Sequence, residues 1–440
     1  MERVRIRRAI CLVLVLGAAC SGVPEQVPLR RAFIDGGEVM ALAAELAGPE
    51  YEGRMIGSAG GRRAADRLAE ILEKAGFQVS FQEFPERPGY NLGEARLETI
   101  LPGRGAETFE YRRDFRESTR GGWTGGSVEG PLFELEARGL EFPDRSVLLI
   151  PAQVYDPAAL DSYAARGAAG ALVELSETTP ALRSTYSGAA PGALLETKRG
   201  MIVLAVSSEA YRRLVSAART GARVRMASPV RIEEVRGRNI IAAWNGDGGE
   251  FRPAFAYTAH YDHVGRDADG TYFPGALDNA SGTALAVRVA EALARRNPAA
   301  DFALVLTDGE EVNLGGAWAL ARGQPFPLYG VSVVNLDMVG SRSDTALSIF
   351  YNGDSDSRGL AAKVVDALAK AGFEAYERSP VYNLDHGHLP RAGARAVSIC
   401  EFDTARYHTK GDLPEFLSES ELSLLGGVLV EFALAELSAH

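Results

Sequence analysis

The run AFAYTAHYDHVG at residues 254–265 decides how the second half of the chain folds. Its first part, 254–259, is apolar and aromatic-rich, as a strand buried on both faces must be. It stops at His260-Tyr261-Asp262-His263, where three side chains can titrate or ligate. Helical spacing follows at 280–295 and a second apolar strand at 302–307. Strand-like runs recur at 239–243, 331–336, 347–351 and 395–401, with helical runs at 357–371 and 420–437. The alternation predicts an α/β fold with a mixed, mainly parallel sheet flanked by helices.

Working outward, the spacing of apolar residues at 64, 65, 68, 71, 72 and 75 predicts a helix closed by Gly76. A strand is expected from Gln78, with further strand-like alternation through Leu101. Residues 117–232 have a different texture, a second strand–helix–strand series without a histidine, and read as an inserted β/α module. The expected organisation is therefore a signal segment at 1–20, a first part of the main domain at 32–116, the insertion at 117–232 and the second part at 233–440.

The chain has 440 residues, 46% of them hydrophobic and 24% charged, enough to bury a large core. Its net charge of −11 and lack of a basic block argue against nucleic acid as a partner. Three cysteines build no disulfide framework, and Cys400 lies in an apolar run where a structural thiol is expected. At the N-terminus, Arg3, Arg5, Arg7 and Arg8 precede an apolar run from Ala9 to Ala19 that is shorter than the ~20 residues needed to cross a bilayer. Such a segment directs export. Its end, Leu16-Gly17-Ala18-Ala19-Cys20, resembles a bacterial lipoprotein signal in which Cys20 becomes the lipid anchor, although the usual leucine is one place too far back. The alternative is ordinary cleavage after Ala19. The anchor is the one membrane contact expected.

Five segments carry the chemistry, nearly all just past a strand: His260-Tyr261-Asp262, Asp278-Asn279-Ala280-Ser281-Gly282, Asp308-Gly309-Glu310-Glu311, Asn335-Leu336-Asp337-Met338 and Tyr407-His408-Thr409-Lys410-Gly411-Asp412. Ligands of open α/β sheets bind outside the carboxyl ends of the strands, so the five should converge. Carboxylates and histidines crowded into one crevice repel unless a cation compensates them. Imidazole and carboxylate donors without cysteine suit zinc or another divalent metal. Taken singly, each residue has a plainer reading: Asp278 as a helix N-cap, Asp337 as a strand-end carboxylate, Glu310-Glu311 as a solvated turn.

The ordered set resembles the dizinc exopeptidases of metallopeptidase family twenty-eight, which includes bacterial leucyl aminopeptidases, glutamate carboxypeptidase II and the metal-free transferrin receptor. The resemblance covers roughly 239–440 and takes in Glu52-Gly53-Arg54 and Gly57-Ser58 near the start. It implies a zinc-dependent exopeptidase fold of the phosphorylase/hydrolase-like kind and two zinc ions. It further implies that His260 and Asp337 hold one zinc, Glu311 and His408 the other, and that Asp278 bridges them. Asp262 would orient His260, and Glu310 would be the general base for a water between the metals. His386, in Asp385-His386, would lie by the substrate, the alternative being a structural hydrogen bond; His263 is expected either just behind the ligands or at the pocket wall. Leu277 departs from the Asn or Asp usual before the bridging aspartate. The 117–232 module resembles a protease-associated domain, through its position and its GAAGALVE stretch at 167–174.

The resemblance thus implies a peptide substrate and, foremost, an aminopeptidase. The alternatives are a carboxypeptidase of the glutamate carboxypeptidase type, a glutaminyl cyclase, and a non-catalytic receptor-like binding protein.

Overall fold

A computed structural model of the chain describes residues 34–103, 105–118, 125–135, 141–175, 201–343, 345–403 and 405–439. The signal segment and Cys20 lie outside them. Two helices open the described chain, α1 (Gly36–Leu46) and α2 (Ala59–Lys74). Ser58 caps α2 by accepting from the amide of Gly61, and Gly76, at φ +93°, ends it in the left-handed turn that glycine allows.

The main sheet has eight strands: β1 (Gln78–Glu86), β2 (Val235–Trp244), β3 (Phe255–His260), β4 (Phe302–Thr307), β5 (Ser332–Asp337), β6 (Leu347–Phe350), β7 (Ala375–Arg378) and β8 (Arg395–Cys400). Their order is β1-β2-β4-β3-β5-β8-β6-β7. The four central strands, β4-β3-β5-β8, run parallel, while β2 and β6 join them antiparallel. Intervening helices are α3 (Gly282–Arg296), α4 (Gly315–Gly323), α5 (Ser355–Lys370) and α6 (Glu419–Leu437). Of these, α4 and β7 were not anticipated from the sequence.

Burial explains the central strands. Every residue of β3, β4 and β5 is buried, because helices cover both faces. Phe255, Tyr257, Leu304, Leu306, Val334 and Leu336 face the core built with α1, α2, α3 and α6. The alternate residues Ala256, Ala303, Val305 and Val333 face a smaller core with Leu320 of α4 and Leu389. From β3 the chain passes through α3 to β4 on one side, then through α4 to β5 on the other. The order therefore reverses at β3, which opens a crevice at the carboxyl ends of the strands.

The insertion forms a second eight-stranded sheet with its own core. Four parallel strands, Gly126–Glu134, Val147–Ile150, Gly170–Glu174 and Ile202–Val206, make its centre. The expected boundary at 117 requires correction. The strands Arg96–Leu101, Gly105–Thr108 and Phe115–Glu117 belong to this second sheet, and the chain leaves and returns through a ribbon that pairs Gly89–Asn91 with Val230–Ile232. Alternation along a strand says which side is buried, not which sheet the strand joins.

Candidate metal centre

Since β3, β4, β5 and β8 are parallel, their carboxyl ends share one edge. His260 ends β3, opposite Thr307 of β4, and Asp337 ends β5, opposite Cys400 of β8. Glu310 and Glu311 follow β4, Asp278 lies in the turn before α3, and His408 in the loop after β8.

These residues form two donor groups that share one member. His260, Asp278 and Asp337 make the first; His263, Asp278, Glu311 and His408 make the second. Nε2 of His260 lies 3.5 Å from Oδ1 of Asp278 and 3.3 Å from Oδ1 of Asp337. On the other side, Nε2 of His408 lies 3.3 Å from Oδ2 of Asp278 and 2.8 Å from Oε2 of Glu311. The two oxygens of Asp278 thus turn to different groups, as a bridging carboxylate requires. Asp278 caps no helix: the N-cap of α3 is Ser281, and no side chain makes a cap hydrogen bond there.

Burial and charge define what the cluster can hold. Oδ2 of Asp278 and Nε2 of His408 are buried without a well-aligned hydrogen bond. Loss of hydration pushes the Asp337 and Asp262 carboxyls up. Glu310 is held well above the ordinary carboxylate range by the same loss, with Asp337, Glu311 and Asp385 adding to it against His260. Against its own burial, the Glu311 and Asp278 carboxylates raise His408 to about 10. Such a cluster takes up cations: protons when nothing else is offered, divalent metal ions when they are. The chemistry of the donors, imidazole and carboxylate without thiolate, fits zinc.

The two glutamates differ in their surroundings. Glu311 is buried, with Oε1 2.9 Å from Nδ1 of His263 and Oε2 against His408. Glu310 retains partial exposure on the crevice. Asp262 places both, because its Oδ1 accepts from the amide of Glu310 at 3.1 Å and its Oδ2 from the amide of Glu311 at 3.3 Å. The same carboxylate faces Nδ1 of His260 at 3.5 Å. It therefore orients one imidazole and one glutamate pair together.

His263 lies directly against the second donor group, the nearer of the two places expected for it. As an N–H its Nδ1 holds Glu311 in place; deprotonated, it is a fourth donor of the second group.

His386 must be corrected. Its Nδ1 meets Ser398 Oγ at 2.7 Å and its Nε2 meets the carbonyl of Val381 at 2.9 Å, so both nitrogens are engaged away from the crevice. Burial lowers it to about 4, which leaves it neutral. It ends a polar chain running Thr258–Asn335–Ser398–His386 across the second face of the sheet. The neighbouring Asp385 is the residue of that pair whose charge acts on the centre. Its Oδ2 accepts from Thr307 and its Oδ1 is buried without a partner. Burial raises it to about 7, with His260 opposing.

Other contributors act through the backbone. Asp412 accepts from the amides of Leu277 and Asp278 at 2.9 and 3.0 Å. That grip is on the main chain and does not involve the Leu277 side chain. Asn279 donates to the carbonyl of Leu336 and accepts from the amides of Gly282 and Met338, tying the Asp278 turn to the end of β5.

Residues 239–433, which carry all five segments, match the model of peptidase family M28. The chain is 38% identical over 120 residues to a probable zinc metalloprotease of Leptosphaeria maculans, an alignment covering 27% of this chain and 26% of that protein. It is 27% identical over 181 residues to aminopeptidase YwaD of Bacillus subtilis, covering 39% of this chain and 38% of that one. The matches thus span well under half of the length of these curated relatives. A solved zinc aminopeptidase from Bacillus subtilis has the same fold, with a TM-score of 0.66 at 19% identity over 91% of this chain and 95% of that one. The likeness of fold extends beyond the residues that the family model matches and into the insertion.

Proposed function

We propose that the chain is a zinc-dependent exopeptidase that removes residues from the amino ends of peptides. The observation that carries the reading is Asp278, shared between two donor groups at the switch point of the sheet. His260 and Asp337 would hold one ion and Glu311 and His408 the other. Bound there, zinc supplies Lewis acidity, polarising a scissile carbonyl and lowering the pKa of water toward ~7. Glu310, open to the crevice, takes the proton of the attacking water and delivers it to the leaving amine. Asp262 keeps the base and His260 in register.

Charge favours a free amino end over a free carboxyl end. Asp262, Asp278, Glu310, Glu311, Asp337 and Asp385 converge on the crevice, whereas the buried guanidinium of Arg54 is taken up by main-chain carbonyls. Two divalent ions offset part of this charge, and the six carboxylates when ionised still leave it negative, so the field attracts an ammonium and repels a carboxylate. The test is a pair of dipeptides, one blocked at the amino end and one at the carboxyl end, assayed with and without phenanthroline. Cleavage of the carboxyl-blocked peptide alone, abolished by the chelator, is expected, with close to two divalent ions per chain by elemental analysis. Cleavage of the amino-blocked peptide alone makes the enzyme a carboxypeptidase, and no metal after zinc reconstitution removes the reading.

The insertion is read as a protease-associated domain that walls one side of the cleft. Tyr111, Arg112 and Lys410 all converge on Asp267, which joins the insertion to the loops of the centre. Export is part of the same reading, through the N-terminal segment ending at Cys20. Expressed in a bacterial host, the full-length chain is expected to label with a palmitate analogue and Cys20→Ala is not; equal labelling of both removes the anchor and leaves export by ordinary cleavage.

A further inference from the structure

We propose that Arg54 is a positioning residue of the metal centre, a rigid spacer that fixes the loop after β3 against the turn before α3. The proposal rests on the dizinc reading above. Arg54 stands 207 residues ahead of Tyr261 in sequence, yet its guanidinium is fully buried beside the centre. Nε donates to the carbonyl of Tyr261 at 2.8 Å, and Nη1 to the carbonyls of Leu46 and Pro274, each at 2.7 Å. Nη2 donates to the carbonyl of Gly275 at 2.8 Å. Tyr261 lies between His260 and Asp262, and Pro274-Gly275 leads into the turn of Asp278. One planar group therefore sets the distance between the loop that carries His260 and the turn that carries the bridging carboxylate. A guanidinium holds its donors in fixed directions, which an ammonium on a flexible stem does not.

The backbone around it is built for that placement. Glu52, Gly53 and Arg54 take φ values of 49°, 72° and 49°, three successive left-handed residues, two of them not glycine. A Cβ at Gly53 would come 2.3 Å from the carbonyl oxygen of Gly265, whose own amide donates to the carbonyl of Gly53 at 3.0 Å. The turn thus presses directly on the loop after His263 and sends the Arg54 side chain inward.

Charge and geometry predict opposite signs, which makes the role measurable. The carboxylates of Asp412, Asp278, Asp262 and Glu311 act on the guanidinium. If its charge were what mattered, removing it would deepen the negative potential and tighten zinc binding. If its shape matters, losing the fork loosens the loops and weakens binding even when the charge is kept.

The experiment is zinc affinity by competition with a chromogenic chelator, on the full chain, for wild type, Arg54→Lys and Arg54→Met. Both variants are expected to bind zinc more weakly by about the 10–100-fold seen when an outer partner of a ligand is lost. Turnover at saturating zinc should fall less than affinity does. Zinc Kd within about two-fold of wild type in Arg54→Lys, or tighter binding in Arg54→Met, overturns the proposal. Should neither variant fold, Gly53→Ala carries the same expectation, since it pushes the turn off Gly265 and keeps the guanidinium; unchanged affinity there overturns it equally. A wild type holding fewer than two ions instead defeats the dizinc reading.

Discussion

Glu310→Gln should keep both metal ions and lose turnover. The amide has the shape of the carboxylate, and the main-chain contacts that place this residue run to Asp262, not through its own side chain. What disappears is the proton acceptor. A positioned acid–base group contributes roughly 10²–10⁴-fold, so kcat is expected to fall by at least that much. KM should change little, because no contact made in the ground state has been removed. The measurement is kcat and KM beside metal content. Loss of metal, or near-normal turnover with metal bound, shows that Glu310 is not the base.

Asp278→Ala should weaken both metal positions, which no other single ligand change is expected to do. Its two oxygens serve different donor groups, and alanine offers a donor to neither. Asp337→Ala is the control, since it removes a donor from the His260 group and leaves the other group intact. Affinity in Asp278→Ala should fall at both positions by more than the roughly 10–100-fold typical of outer partners. The stabilisation that bound zinc gives the folded state should fall with it. Elemental analysis and thermal unfolding with and without zinc test this together. If Asp278→Ala retains one ion per chain at wild-type affinity, Asp278 is not a bridge.

Much of the centre was legible along the chain because ligand side chains cluster where strands end. His260, Asp337, Glu310 and Glu311 each follow an apolar run whose length marks the strand, and parallel strands bring their ends to one edge. Asp278 was harder, since Asp before Asn-Ala-Ser-Gly also describes a helix cap. Its place between two imidazoles is what supports the bridging reading over the cap.

Other residues left no such mark. Arg54, Asp412 and Asn279 work through main-chain atoms of segments far away in sequence, so their residue type carries no hint of the partner. His386 shows the reverse error: a histidine beside an aspartate drew attention to the imidazole, while the fold turns that ring onto Ser398 and leaves Asp385 by the centre. Similarly, the strands from Arg96 to Glu117 alternate as strands should, yet the sheet they join depends on pairing with Arg223–Ser228 and Ile202–Val206.

By itself, then, the sequence determined the α/β class, the parallel centre of the sheet and the residue types that meet at its edge, because burial dictates periodicity and periodicity is local. Only the tertiary structure decided which oxygen of Asp278 faces which histidine, which of Asp385 and His386 acts on the centre, and where the second sheet begins. Those are matters of direction and distance between segments that the chain brings together only when folded, and a one-dimensional pattern holds no record of them.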